Sequence, residues 1–169
     1  MRIVLSFSLF LLTSCGYHVA GRGDLLPRTV KTIAIPAFGN VTTRYKLSDH
    51  LARDISREFI QRTRYRIVAN PEEADALLTG AVVNFFAYPT IFDTNTGRAT
   101  GILAVVFLQV TLTDRASGKT LFSRPGMEVR ERYEISVDPR AYFDESGAAM
   151  ERLSRDVARS VVSAVLENF

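Results

Sequence analysis

Between residues 102 and 113 the apolar positions keep a period of two. Ile102, Ala104, Val106, Leu108, Val110 and Leu112 fall on one side, while the other side starts apolar with Leu103, Val105 and Phe107 and turns polar at Gln109, Thr111 and Thr113. That pattern predicts a strand with one face in a core throughout and the other apolar at one end only. Residues 74–88 predict a long apolar strand before it, with Gly80 as a candidate bulge and Pro89 as its end. Residues 93–97 read as a loop and 114–118 as a short hairpin connection. Residues 119–135 return as a strand interrupted at Pro125-Gly126, and Met127 and Val129 against Glu128, Arg130 and Arg132 make its second half a half-exposed edge. Upstream, residues 29–38 predict a first strand with Pro36 at its edge or end, Gly39-Asn40 a turn, and residues 65–69 a short second strand.

Two segments carry helical spacing instead. Leu51, Ile55 and Phe59 recur every fourth residue with Ala52 and Ile60 flanking, which predicts an amphipathic helix of about four turns. Ser48 is its cap, Arg53, Asp54, Arg57 and Glu58 its far side, and Asp49 pairs with Arg53. Near the C-terminus, Asp138-Pro139 is a helix start, Gly147 a break in the opening turns, and Met150, Leu153, Val157, Val161, Ala164 and Val165 the apolar stripe. The order is β-α-β-β-β-β-α. The predicted fold is α+β, with two helices packed on one face of a four- to five-stranded, mostly antiparallel sheet.

Composition narrows the chemistry. A chain of 169 residues that is 47% hydrophobic with a net charge of +3 suits one packed domain rather than disorder. One Cys and two distant His, His18 and His50, exclude a disulfide framework, a zinc cluster and a His-based metal site. Gly-x-Ser-x-Gly is absent, and Gly21-Arg22-Gly23 follows no strand, so it is no dinucleotide fingerprint. Glu72-Glu73 and Asp144-Glu145 sit near predicted helix starts, where the dipole accounts for them. No enzyme and no cofactor is expected.

The basic residues are the chemistry that is left. Of the 21 Lys and Arg, only Lys31, Lys46 and Lys119 are lysines, and Arg is the residue of bidentate phosphate and carboxylate pairing. A charge of +3 is too mild for a nucleic-acid partner. Arg62, Arg64 and Arg66 alternate into the short strand, the latter two on one face, and Arg130 and Arg132 project together from another. Such forks suit a phosphorylated glycolipid, while for any single Arg a solvated face with nearby Asp and Glu is the plainer reading. Leu103, Val105 and Phe107 read as a contact for acyl chains or a partner, or as a strand covered on both faces by this chain.

The first residues are an address. After Met1-Arg2, residues 3–12 are apolar except for Ser6 and Ser8. Ten helical residues span about 15 Å, half of the ~30 Å a bilayer core requires, so the segment reads as a secretory signal. Leu12-Thr13-Ser14-Cys15 resembles the bacterial lipobox, whose Cys becomes the acylated first residue, and Gly16 after it resembles the outer-membrane class. The expected division is a signal peptide at 1–14, a lipidated tether at 15–28 and one α+β domain at 29–169.

The stretch CGYHVAGRGDLLP, followed by TIAIPAFGN, LSDHLARDISREFI, the long strands and the Arg-rich last helix, resembles the lipopolysaccharide-assembly lipoprotein family LptE across essentially the whole chain after the signal. The resemblance implies an outer-membrane lipoprotein on the periplasmic side. Its implied partners are an LptD-like β-barrel whose lumen it plugs, lipopolysaccharide delivered to the outer leaflet, and membrane lipid through acylated Cys15. A Pro-Ala-Phe-ending strand before a helix also resembles the N-terminal domains of TolB-like and curli-secretion lipoproteins, which would make the chain a stand-alone periplasmic binding module.

Overall fold

A computed structural model describes residues 26–42, 45–136 and 139–167. The signal segment, Cys15, Asp138 and the side chains of Asp144 and Glu145 lie outside the described residues. Among the described residues nine elements follow one another: β1 (Thr32–Ala34), β2 (Gly39–Asn40), α1 (Tyr45–Arg62), β3 (Arg66–Val68), a 3₁₀ turn (Pro71–Glu73), β4 (Ala76–Phe92), β5 (Ala99–Asp114), β6 (Thr120–Glu134) and α2 (Pro139–Glu167).

The α+β class with two helices on a sheet stands, but the sheet has six strands and is mixed. Its order is β3-β1-β4-β5-β6, and β2 lies beyond β1 along the same edge of β4. The additional strand is Gly39-Asn40, read from sequence as a turn. It runs parallel to β4 with Gly39 opposite Ala81 and Asn40 opposite Val82. Between Ala34 and Gly39 the edge is interrupted around Pro36, which has no N–H to give a ladder. The β1–β3 and β1–β4 pairings are parallel as well, while the two long ladders, β4–β5 and β5–β6, are antiparallel.

One face of the sheet is covered by both helices. Leu51, Ile55 and Phe59 of α1 and Val157, Val161 and Val165 of α2 are fully buried against Ala104, Val106, Leu108, Val110 and Leu112 of β5. Each such Leu, Val or Phe contributes about 1.5–3 kcal/mol by leaving water. The even-numbered side of β5 is therefore core along its length, as its alternation predicts. Leu26, inside the segment read as tether, is buried in the same core, as is Val30.

Local details depart from the sequence pattern for identifiable reasons. Asp54, read as part of the solvated side of α1, is buried and accepts a 2.7 Å hydrogen bond from Ser154 of α2, with Arg53 Nε 3.2 Å from its other oxygen. A carboxylate can sit between helices when its oxygens are bonded in this way. Arg53 thus turns to Asp54, not to Asp49. Helix α1 begins at Tyr45, so Ser48 falls in its first turn and accepts from Asn40 Nδ2 at 3.1 Å. Helix α2 runs unbroken through Gly147, since a single helical Gly costs only ~1 kcal/mol beside its packed stripe. Strand β4 passes Pro89 and ends at Phe92.

Gly80 is no bulge. A Cβ there would lie 2.5 Å from the Phe38 ring and 2.6 Å from the Gln109 carbonyl oxygen, so the Gly makes room for Phe38. The register slips instead at Val83, where Val82 pairs with Leu108 and Asn84 with Phe107. Both hairpin tips are built alike. Asp93 Oδ1 accepts from Thr96 N–H and hydroxyl at 2.7 Å each, and Asp114 Oδ1 does the same with Ser117. A Gly with positive φ follows each, Gly97 at 67° and Gly118 at 69°, a conformation that only Gly adopts freely. These bonds to the ionised form hold both carboxyls below the usual carboxylate value.

Candidate functional site

The slip at Val83 decides what the uncovered face of the sheet displays. Ahead of it, Ala76, Leu78 and Val82 point to the helices; after it, that role passes to Phe85, and Phe86 and Tyr88 are turned to the open face. There Phe86 stands opposite Val105, and Tyr88 opposite Leu103. The Phe86 ring stacks on Tyr88 at 6.0 Å and meets Phe107 edge-on at 6.0 Å. Ile91 continues the row over Gly101, whose missing Cβ would meet it at 2.9 Å.

Strand β6 supplies the rim. Arg132 pairs with Leu103, Arg130 with Val105 and Glu128 with Phe107. Arg130 is bridged to Glu128, whereas Arg132 makes no ion pair among the described residues. The structure thus brings together five of the residues singled out from sequence: Leu103, Val105, Phe107, Arg130 and Arg132. Val105 is the most covered, at 6% exposed, and stands between Phe86 and Arg130 on the face turned away from the helices.

Arg64 and Arg66 are not part of this surface. Strands β3 and β6 are opposite edges of the sheet, and four inter-strand steps of ~4.8 Å put them about 19 Å apart. The two also part company from each other. Arg66 is the first residue of β3, opposite Thr32, whereas Arg64 precedes the strand and lines a pocket with Arg28 and Lys31. Sequence reasoning missed Phe86, Tyr88 and Ile91, because unbroken alternation through residues 74–88 hides the slip. It also missed Arg28 and Lys31, which approach Arg64 only through the parallel β1–β3 pairing.

Glu131 is pushed above the usual carboxylate value by burial and by Asp156, with Arg159 opposing. Among the described residues no group of three or more His, Cys, Asp or Glu could hold a metal ion, and no helix is long and apolar enough to cross a membrane.

What fold and surface define together is an α+β domain that offers an apolar, Arg-rimmed face for contact. Residues 30–165 match the model of the family described as LptE, lipopolysaccharide-assembly. The match spans well over half the chain, and the protein belongs to that family. No curated protein matches it in sequence. Solved structures share the fold at low identity. A lipoprotein described as putative from Caulobacter crescentus is 14% identical with a TM-score of 0.54, covering 81% of this chain and 89% of that one. Rare lipoprotein B from Shewanella oneidensis is 14% identical with a TM-score of 0.51, covering 81% and 95%. A PelC dodecamer from Paraburkholderia phytofirmans is 17% identical with a TM-score of 0.54, covering 85% and 93%.

Proposed function

We propose that this member of the lipopolysaccharide-assembly family is an outer-membrane lipoprotein, acylated at Cys15 and facing the periplasm. It occupies the lumen of an LptD-like β-barrel and assists passage of lipopolysaccharide to the outer leaflet. It works by contact, without catalysis. The observation that carries this reading is the open face on which Phe86, Tyr88, Leu103, Val105 and Phe107 form one apolar field beside Arg130 and Arg132. A barrel lumen is lined with polar groups, so Arg forks suit its carboxylates and carbonyls. An apolar field beside them suits either an aromatic anchor point on the barrel or the acyl part of a polyanionic lipid.

Affinity isolation of the native acylated protein in mild detergent is expected to bring down a barrel of several hundred residues. Changing Phe86→Ser together with Tyr88→Ser is expected to lower that recovery at least tenfold, since buried aromatic anchors contribute about 2 kcal/mol or more at interfaces. Recovery of the chain alone, with no barrel in the wild-type sample, overturns the reading.

A further inference from the structure

At the end of the sheet where the described chain begins lies an open pocket of about 420 Å³. Its floor is Leu26, Val30 and Tyr65, and its rim carries Arg28, Lys31 and Arg64. Leu26 and Val30 are 4% and 3% exposed, and the Tyr65 hydroxyl accepts the Leu26 N–H at 3.2 Å, so the floor is fixed. No acid lines the pocket among the described residues. The carboxylate beside this segment, Asp75, is already engaged: Oδ2 accepts from the Lys31 and Thr32 N–H groups and from the Thr32 hydroxyl.

The arginines of the helices differ from these. Arg57, Arg155 and Arg159 surround a second pocket of about 280 Å³, yet each lies within 4.0 Å of an acid, Asp54, Glu151 and Asp156 respectively. Arg28, Lys31 and Arg64 make no such pair among the described residues. Lys31 acts on Asp75 through its charge, but none of the three cations over this apolar floor is held in a salt bridge among the described residues, and together they call for an anion carried on an apolar body. The place of the pocket indicates which one. Leu26 is eleven residues beyond Cys15, and eleven residues reach at most about 40 Å when fully extended.

We infer that this pocket binds the phosphate headgroup of an anionic glycerophospholipid in the leaflet that holds the anchor. Arg28, Lys31 and Arg64 clasp the phosphate, and the glycerol end rests on Leu26, Val30 and Tyr65. The membrane setting rests on the proposed acylation of Cys15, which makes the second contact intramolecular and allows a weak site to fill. Arg64 is thereby assigned to the anchoring leaflet, apart from the surface around Arg130 and Arg132.

The test uses the full native chain in a non-ionic detergent, titrated calorimetrically with dihexanoyl phosphatidylglycerol, dihexanoyl phosphatidylcholine and inorganic phosphate. The phosphatidylglycerol is expected to bind at least tenfold more tightly than either other probe. Arg28→Ala with Arg64→Ala is expected to weaken it at least tenfold, and Lys119→Ala with Arg152→Ala to leave it unchanged. Equal binding of phosphatidylcholine, equal binding of free phosphate, or indifference to the Arg28 and Arg64 changes each overturns the proposal. Intact-mass measurement of the same sample keeps the two readings separate. An unmodified Cys15 with lipid bound refutes the anchor and upholds the pocket; an acylated Cys15 with no lipid bound refutes the pocket and leaves the anchor.

Discussion

The two ends of the β4–β5 ladder are made of similar residues and have opposite fates. At the near end Leu78, Val82, Leu108, Val110 and Leu112 are at most 1% exposed, closed over by α1 and α2 and flanked by β1 and β2. At the far end Phe86, Tyr88, Ile91 and Phe92 are between 40% and 56% exposed. Hydrophobicity does not separate them, since the far end holds the larger side chains. Coverage does. Strand β2 stops pairing at Val82, the slip at Val83 follows, and beyond it the outer edge of β4 has no neighbouring strand among the described residues. A core needs a second layer; the helices supply one on a single face of the sheet, and after the slip Phe86 and Tyr88 stand on the other. An aromatic group left without cover within its own chain is available for a contact outside it.

The largest effect expected from this contrast is in folding stability. Leu108→Ala removes a fully buried side chain at the near end and should cost about 3–5 kcal/mol. Phe86→Ala at the far end forfeits the stack on Tyr88 and the edge contact with Phe107, about 1 kcal/mol. Urea unfolding of both variants with comparable slopes measures the difference. Equal losses would show the far end to be packed as a core, and the contrast would fail.

A second, smaller effect sharpens the account of the near end. Gly80→Ala forces a methyl against the Gln109 carbonyl, which cannot rotate away, and against the Phe38 ring, at a cost of about 1–3 kcal/mol. Gly126→Ala on β6 meets nothing within 4 Å and should stay within about 0.5 kcal/mol of wild type. Thermal unfolding of the pair shows whether Phe38 crosses as tightly as described.

Much of this could be read from the residues, and what escaped has a common cause. The alternation from 102 to 113 locates the core side of β5, and the fourfold spacing of Leu51, Ile55 and Phe59 locates the buried side of α1, because each depends on period alone. The five clustered site residues lie on β5 and β6, where period-two reading also holds past the slip of β4. What period cannot show is pairing between distant segments. Gly39-Asn40 looks like a turn until β4 lies beside it, and Gly80 looks like a bulge until Phe38 is placed over it. Asp54 looks solvated until Ser154, one hundred residues on, bonds to it. Spacing groups Arg64 with Arg66, but the connection before β3 separates them and the β1 pairing gives Arg64 to Arg28 and Lys31 instead.

The smallest effect concerns pH and joins the two ends again. Asp75 ties β1 to the start of β4: the Lys31 and Thr32 N–H groups, at 2.8 and 2.9 Å, and the Thr32 hydroxyl donate to its ionised oxygen and hold its pKa below the ordinary carboxylate range. A carboxyl whose folded pKa is depressed stabilises the fold above its unfolded value, and that contribution is lost as pH falls through the folded one. Glu131, on β6 opposite Ala104 toward the far end, has the reverse sign. Burial raises its pKa above the ordinary carboxylate range, so the folded chain holds this proton more tightly, and the group withdraws stability as pH rises through the raised value. Asp75→Asn keeps an acceptor oxygen and removes the charge, and should lower Tm by about 2–4 °C at neutral pH. Its gap from wild type should close as the solution is acidified below the ordinary carboxylate range. Glu131→Gln should raise Tm slightly at neutral pH and change nothing once the wild-type group is protonated. Melting curves collected across that range decide both signs. A Tm deficit for Asp75→Asn that stays constant down to strong acid would mean that the shape of the side chain, not its charge, fastens β1 to β4.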